Sequence, residues 1–200
     1  MISSILLAEE ESIKINGKNK LTVELNGVAL INHAIKNILG SAINELIVIL
    51  GYENKIIENL IEKNIKIKLV YNKDFKSGTS SSIKIGLNHI SSKAKAFFIC
   101  HGDMPKVNQS IYNKLIKARY NYNKKLEPEN KKEIFVPTYE GLEGNPVLFS
   151  KFMKENIMDI KSDFEEKKII ELNKKKVLNV PLKNKGITLS YDTQKDFDFN

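Results

Sequence analysis

The chain has 200 residues, of which 42% are hydrophobic and 28% charged, and its formal net charge is +8. This length suits one globular domain, residues 1–200, that buries its own core. The single cysteine excludes a disulfide framework and is typical of a reducing compartment. The start MISSILLAEEE lacks the basic region of a signal peptide, and nothing approaches the run of about 20 apolar residues that spans a membrane. We therefore expect a cytoplasmic protein with no membrane contact.

The basic charge does not by itself predict a nucleic-acid partner. Only one of the 32 basic residues is arginine, Arg119, and the chain is rich in isoleucine, lysine and asparagine. An AT-rich genome imposes this composition on any protein. Recognition of phosphates and base edges favours the arginine fork, so we expect no nucleic-acid partner.

Short apolar segments alternate with helical apolar periodicity in the first half of the chain. Segments of this length are typical of buried strands, and apolar residues three and four apart predict the helices between them. The strands are predicted over 2–8, 45–51, 65–71 and 95–103, and the helices over 28–39, 53–63 and 79–90. The alternation predicts a mostly parallel sheet between two helical layers, a three-layer α/β/α fold.

The second half departs from this regular alternation. A helix is predicted over 108–120, a charged connection over 121–133, two strands around a glycine-bearing loop over 134–150, a helix over 162–175, and strands over 176–182 and 186–193. Binding loops of such sheets lie at the C-terminal ends of the strands. We therefore expect the loops 9–20, 71–79 and 101–107 to be neighbours in space.

The stretch HGDMP at 101–105 places a carboxylate directly after a predicted buried strand. Asp103 lies between a glycine and a proline turn, which holds its position. Magnesium prefers oxygen ligands and usually takes one or two carboxylates from a protein. Two interpretations of Asp103 therefore remain open. It is a ligand of Mg²⁺, or it is an aspartate that only starts a turn before a helix.

A second stretch, YNKDFKSGTSSSIKIGL at 71–87, combines a glycine with hydroxyl side chains at the start of a helix. Gly78 lets the backbone approach a ligand, and residues 79–82 offer donors to an anion or to the polar edge of a base. A well-capped helix without a ligand explains the same residues. The third stretch, YEGLEGNPVLF at 139–149, is explained by a hairpin.

Taken together and in this order, these stretches resemble the molybdenum cofactor cytidylyltransferases of the GT-A-like, MobA-like nucleotidyltransferase superfamily. The loop LAEEESIKINGKNKL corresponds to a family loop of the form LAAGxSxRMG with a lysine shortly after it. The family segment Asn…G…SxxxGL is matched by Asn72, Gly78, Ser82, Gly86 and Leu87, and the family motif GDxP by Gly102, Asp103, Met104 and Pro105. The family turn GxxGxPV is matched by Gly141, Gly144, Asn145, Pro146 and Val147. Two later motifs, GDxGAR and DxDTxxD, are matched more faintly by KSDFEEKKII and LSYDTQKDF.

The departures from the family pattern concentrate in the first loop. There, Glu9 and Glu10 replace the family's alanine and glycine, Ser12 is kept, and Lys14 takes the position of the arginine. Further along, Asn145 replaces the usual histidine, Ser162 and Glu165 replace the glycines of GDxGAR, Lys167 corresponds to its arginine, and Ser190 replaces the first aspartate of the last motif.

The resemblance implies transfer of CMP from CTP to the molybdopterin form of the molybdenum cofactor, with Mg²⁺ as the metal and pyrophosphate as the second product. Lys20 and Asp103 would be catalytic: Lys20 neutralises the triphosphate, and Asp103 holds the metal together with Asp163 or Asp192. The nucleotide would contact Ala8, Ser12, Lys14, Lys20, Asn72, Gly78, Ser80, Ser81, Ser82 and Gly102, and the acceptor would contact Gly144, Asn145 and Pro146.

Glu9 and Glu10 oppose this function on physical grounds. A carboxylate about 4 Å from a phosphate charge costs about 1 kcal/mol in water and about 4 kcal/mol at an intermediate dielectric. If the glycine position requires a positive φ, glutamate there costs roughly 1–2 kcal/mol more. Three hypotheses follow: a working nucleotidyltransferase, an impaired relative that serves as accessory or carrier protein for a molybdenum enzyme, and a transferase for another small phosphate.

Overall fold

The computed structural model describes residues 1–11, 14–161, 163 and 166–198. Within these residues the strands are β1 (Ile2–Ala8), β2 (Lys14–Ile15), β3 (Lys18–Asn19), β4 (Glu24–Leu25), β5 (Val28–Ala29), β6 (Glu45–Leu50), β7 (Ile67–Tyr71), β8 (Ala96–His101), β9 (Ile134–Tyr139), β10 (Leu142–Glu143), β11 (Val147–Ser150) and β12 (Val177–Pro181). The helices are α1 (Leu30–Leu39), α2 (Asn54–Leu60), α3 (Thr79–His89), α4 (Gln109–Asn123), α5 (Met153–Met158), α6 (Glu166–Leu172) and α7 (Gln194–Asp198).

A mostly parallel sheet forms the centre of the fold, as predicted. Its strands follow the order β10-β9-β11-β8-β1-β6-β7, and β12 pairs with β9. The strands β8, β1, β6 and β7 are mutually parallel, whereas β11 runs antiparallel to both β8 and β9. The strand β9 therefore points the same way as β8, and the C-terminal ends of β1, β8 and β9 lie at one edge.

Alternate side chains of β1 enter two different hydrophobic cores. Leu6 and Ala8 belong to a core that includes residues of α1 and α4. Ile5 and Leu7 belong to a core that includes residues of α3, α5 and α6. Because successive strand residues point to opposite faces, the sheet separates two helical layers, and the three-layer α/β/α prediction is confirmed. No helix in the described part of the chain is long and apolar enough to cross a membrane.

The predicted helix over 28–39 begins two residues later than expected. Val28 and Ala29 form β5, which pairs with β4 across the turn Asn26–Gly27. Both turn residues have positive φ, 54° and 76°, as a two-residue type I′ hairpin turn requires. The Asn-Gly dipeptide therefore outweighs the helical periodicity at these two positions.

The predictions near the C-terminus need a larger correction. The segment 186–193 is predicted as a strand, but its start forms a short 3₁₀ turn over Lys185–Thr188. The Asn184 side chain caps this turn by accepting a hydrogen bond from the Gly186 N–H at 2.7 Å. The predicted helix over 162–175 is shorter in the structure, Glu166–Leu172, and positions 162, 164 and 165 lie outside the described residues.

α3 lies so close to β1 that Gly86 has no room for a side chain. A Cβ atom at this position would approach Ile5 Cγ2 to 2.5 Å. We expect Gly86→Val to lower the free energy of unfolding in urea by about 1–3 kcal/mol, because the overpacked helix must move away from the sheet. Asn88→Val adds the same side chain at an exposed position of α3 and should change that free energy by less than about 0.5 kcal/mol. Equal losses in the two variants would contradict the packing argument.

Candidate active site

Three loops meet at the C-terminal edge of the sheet, as the sequence predicts. The first loop, 9–20, contacts the third loop, 101–107, because Lys20 Nζ lies 2.5 Å from Asp103 Oδ2. The first loop also contacts the second loop, 71–79, where the Thr79 hydroxyl donates a hydrogen bond to Glu10 Oε1 at 3.3 Å. The loops surround a cleft of about 410 Å³.

Lys20 is the most tightly held side chain of this cleft. Its ammonium group contacts Asp103 and also Asp192 Oδ1, the latter at 2.6 Å. The lysine side chain is only 10% exposed. Burial by itself would lower the pKa of Lys20, but the two carboxylates outweigh burial and raise it. Burial would raise the pKa of Asp192, but the hydrogen bonds from Lys20 and Ser190 lower it. Lys20 is therefore a permanent positive charge that joins two acidic groups.

Asp103 and Asp192 fit a divalent metal by their chemistry. Both offer carboxylate oxygens beside a cleft, and Mg²⁺ usually takes one or two carboxylates and completes its shell with phosphates and water. No cluster of three or more side chains that could hold a metal exists among the described residues, and both carboxylates of this pair contact Lys20. The structure places Asp192, and not Asp163, beside Asp103.

Asp163 lies instead at the N-terminus of α3. Its Oδ1 accepts a hydrogen bond from the Ser80 N–H at 3.2 Å, and a side chain at Gly78 would collide with its carboxylate. Gly78 itself has a φ of +103°, which favours glycine. The carboxylate thus occupies the helix terminus where the sequence predicts part of the nucleotide.

The predicted residues Asn72, Ser81 and Ser82 form a hydrogen-bonded support under this helix terminus. Asn72 Nδ2 donates to Ser81 Oγ at 2.8 Å and to Ser82 Oγ at 2.9 Å. Asn72 and Ser82 are fully buried. Their contacts hold the 71–79 loop against α3, whereas Thr79 lines the cleft.

The predicted backbone strain at Glu9 and Glu10 does not arise. The described non-glycine residues with positive φ are Asn16, Asn26, Glu53 and Glu140, so neither glutamate adopts the left-handed conformation. The left-handed pair of the first loop is Asn16–Gly17, with φ of 51° and 79°. This pair joins β2 to β3 as a hairpin. The first loop therefore turns at Asn16, two positions after Lys14, the residue that corresponds to the arginine of the family loop.

Glu9 and Glu10 differ in their surroundings. Glu9 is only 1% exposed, and neither of its carboxylate oxygens has a hydrogen-bond partner among the described residues. Burial raises the pKa of Glu9 to about 7, so much of the population is uncharged at neutral pH. Glu10 is exposed and lines the cleft. Of the two glutamates, Glu10 is therefore the one that adds negative charge to the cleft.

The remaining predicted residues lie around the same edge. Ala8 and Gly102 are adjacent to Lys20 in a small cavity. Gly144 and Asn145 line the large cleft, and the Asn145 N–H donates to Ile187 O at 2.8 Å. Pro146 is buried, just before β11. Lys14 begins β2 and pairs through its backbone with β3, whereas Ser12 lies outside the described residues.

The family model of the MobA-like NTP transferase domain matches residues 4–177. The chain belongs to this family. It is therefore a nucleotidyltransferase whose Lys20, Asp103 and Asp192 lie together at the edge where the loops of the domain converge. No curated protein matches the sequence.

Solved structures show the same fold at low sequence identity. The Rv0371c protein of Mycobacterium tuberculosis H37Rv has 18% identity and a TM-score of 0.82, with 98% of this chain and 95% of that chain covered. A complex of that protein with manganese has 17% identity and a TM-score of 0.77, covering 98% and 96%. A nucleotidyl transferase from Methanothermobacter has 16% identity and a TM-score of 0.79, covering 98% and 94%. The 4-diphosphocytidyl-2C-methyl-D-erythritol synthase of Anaerococcus prevotii DSM 20548 has 16% identity and a TM-score of 0.75, covering 99% and 93%.

This MobA-like domain also contains an ion pair that sequence reasoning did not identify. His101 Nε2 lies 2.9 Å from Glu166 Oε1, and the two side chains are 29% and 7% exposed. Burial would lower the pKa of His101, but Glu166 raises it to about 9. Burial would raise the pKa of Glu166, but His101 lowers it. No sequence signal identifies the pair, because His101 ends β8 and Glu166 begins α6, 65 positions later in the chain.

The buried carboxyl of Glu9 should make the MobA-like domain less stable as the pH rises. The unfolded chain ionises Glu9 near its ordinary pKa of 4.5, whereas the folded pKa is about 7. The folded state is therefore penalised progressively between pH 4.5 and 7, and the penalty is constant above that. We expect Glu9→Gln, which cannot ionise, to raise the free energy of unfolding by about 3 kcal/mol at pH 8 relative to the wild type.

Denaturant unfolding at several pH values tests this expectation. The two proteins should have similar stability at pH 4, where Glu9 is protonated in both states. Glu11→Gln removes an exposed carboxylate two residues away and should show no pH-dependent difference from the wild type. A Glu9→Gln variant whose advantage is the same at pH 4 and pH 8 would contradict the argument.

Proposed function

We propose that this MobA-like nucleotidyltransferase transfers CMP from CTP to the molybdopterin form of the molybdenum cofactor and releases pyrophosphate. The observation that carries the proposal is the arrangement of Lys20 between Asp103 and Asp192 at the rim of the cleft. It combines a fixed positive charge for a triphosphate with two oxygen ligands for Mg²⁺. A molybdenum enzyme would receive the product.

The chemistry requires positioning and charge neutralisation more than covalent participation by the protein. A phosphate oxygen of the acceptor attacks the α-phosphorus of CTP in line, and the bond to the pyrophosphate oxygen breaks. Lys20 stabilises the negative charge that develops on the phosphates. Asp103 and Asp192 would hold Mg²⁺, which neutralises phosphate charge when bound. The manganese complex of the similar mycobacterial protein is consistent with a divalent metal in this fold.

The choice of CTP and of a molybdopterin acceptor rests on the order of motifs along the chain. Gly144 and Asn145, which the resemblance assigns to binding of the acceptor, line the same cleft as Lys20 and Asp103. A transferase for another small phosphate is the second candidate. It is favoured by the likeness to a 4-diphosphocytidyl-2C-methyl-D-erythritol synthase. An accessory or carrier protein is the third, favoured by the exposed Glu10 in the cleft.

Calorimetric titration with Mg·CTP and Mg·GTP tests the proposal. We expect Mg·CTP to bind more tightly than Mg·GTP, and Asp103→Ala to weaken Mg·CTP binding at least about tenfold, which corresponds to about 1.4 kcal/mol. The matched control Asp159→Ala removes an exposed aspartate and should leave the affinity unchanged. If neither nucleotide binds at millimolar concentration, the transferase proposal is wrong and the carrier alternative stands.

Glu10 should weaken nucleotide binding without abolishing it. Its charge lies in the cleft, and one like charge at about 4 Å in water opposes binding by about 1 kcal/mol. We therefore expect Glu10→Gln to tighten Mg·CTP binding about fivefold. Glu11→Gln removes the same charge from the next residue, which is exposed, and should have a smaller effect. Weaker binding by Glu10→Gln would show that the carboxylate contributes to the site.

A further inference from the structure

We propose that His101 and Glu166 are a positioning pair that places Lys167 in the cleft as a second positive charge for the phosphates of the nucleotide. The inference rests on the proposed function, since it names a group that would contact the triphosphate. It is independent of the identity of the base and of the acceptor.

The pair joins two elements, β8 and α6, that are far apart in the chain and meet at the cleft. His101 is the last residue of β8 and lies two positions before Asp103, whereas Glu166 is the first residue of α6. Their charged atoms are 2.9 Å apart, and Glu166 is almost completely buried. An ionised carboxylate in the interior requires a partner, and the contact with His101 holds the start of α6 against the end of β8.

The position of Lys167 follows from this anchor. α6 has seven residues, too few to be a stable helix without tertiary contacts. Ile169 and Ile170 hold its far side in the hydrophobic core, and Glu166 holds its first turn. Lys167, the next residue, lines the same cleft as Lys20 and Asp103. The exposed Lys168 does not line it.

The charges of the cleft explain why a second lysine is needed. Glu10, Asp103, Glu143 and Asp192 line it together with Glu166. Lys20 is already shared between two of these carboxylates. Five carboxylates therefore line the cleft with Lys20, and Lys167 reduces this excess of negative charge where a triphosphate would bind.

His101 keeps Lys167 available for the ligand. Glu166 precedes Lys167 in the chain, and its carboxylate contacts His101. No ion pair joins Lys167 to another residue in the part of the chain that the structure describes. The arrangement neutralises the buried glutamate with the histidine, so Glu166 does not compete for the charge of Lys167, which lines the cleft.

Simple electrostatics and positioning make opposite predictions for Glu166→Gln. If Glu166 only adds negative charge to the cleft, its removal tightens the binding of a polyphosphate. If Glu166 positions Lys167, its removal weakens binding even though a repulsive charge is lost. The sign of the change therefore separates the two roles.

The test is a double-mutant cycle measured by calorimetry with two probes, Mg·CTP and magnesium triphosphate. We expect Lys167→Met to weaken binding of both probes about tenfold and Glu166→Gln to weaken it at least threefold. Since Glu166 acts through Lys167, the double variant should bind no more weakly than Lys167→Met. Glu166→Asp, which keeps the carboxylate, should bind more tightly than Glu166→Gln. Lys168→Met is the matched control and should bind both probes like the wild type.

Hydrogen exchange of the α6 amides separates a displaced helix from an unfolded protein. Glu166→Gln should speed exchange over residues 166–172 and leave the amides of β1 and β8 protected. Tighter or unchanged binding by Glu166→Gln, or a full additional loss in the double variant, would overturn the inference. A wild type that binds triphosphate but not CTP would reject the proposed function and leave the inference standing. A wild type that binds neither probe would reject both.

Discussion

One buried ammonium group between two carboxylates organises the edge of the sheet that carries the candidate site. Lys20 is separated from Asp103 by 83 positions and from Asp192 by 172 positions in the chain. Removing Lys20 would leave the mostly buried Asp103 carboxylate without this cation, which is strongly unfavourable. The hairpin loop, the end of β8 and the C-terminal segment therefore take up their positions together. The Tyr191 N–H reinforces this by donating to the backbone oxygen of Asp103 at 2.9 Å.

The same edge accommodates two glutamates where small residues are typical of the family. The backbone turns at Asn16–Gly17 and not at Glu9 or Glu10, so bulky side chains cause no backbone strain there. Glu9 points into the interior, where burial raises its pKa and suppresses its charge near neutral pH. Gly51 makes this possible, since a Cβ atom there would lie 2.7 Å from the Cβ of Glu9. The loop therefore differs in chemistry from the family loop, with Glu9 buried and Glu10 lining the cleft together with Lys20.

Residues of the candidate site could be predicted only where a short sequence motif contains them. Asp103 and Lys20 could be identified because each lies in a short motif directly after a strand or loop with a recognisable register. The choice between Asp163 and Asp192 could not be made from the sequence, since each lies in a stretch that matches the family pattern only faintly. Only the fold shows that Asp163 caps α3 through Ser80 whereas Asp192 contacts Lys20. The pair of His101 and Glu166 is a long-range contact with no local pattern, so sequence reasoning missed it.

The sequence by itself determined the layers and the sheet edge at which the candidate site lies. Apolar runs of strand length and apolar residues at helical spacing indicate directly which residues are buried. The reason is that the buried face of a strand or a helix recurs with the period of that element. The Asn-Gly turn at 26–27 was an equally local signal that the helix prediction over 28–39 overlooked. Tertiary structure decided which charged groups are partners, which glutamate is buried and which faces the cleft. Those outcomes depend on distances between segments far apart in the chain, and electrostatic energies at such contacts vary steeply with burial and separation.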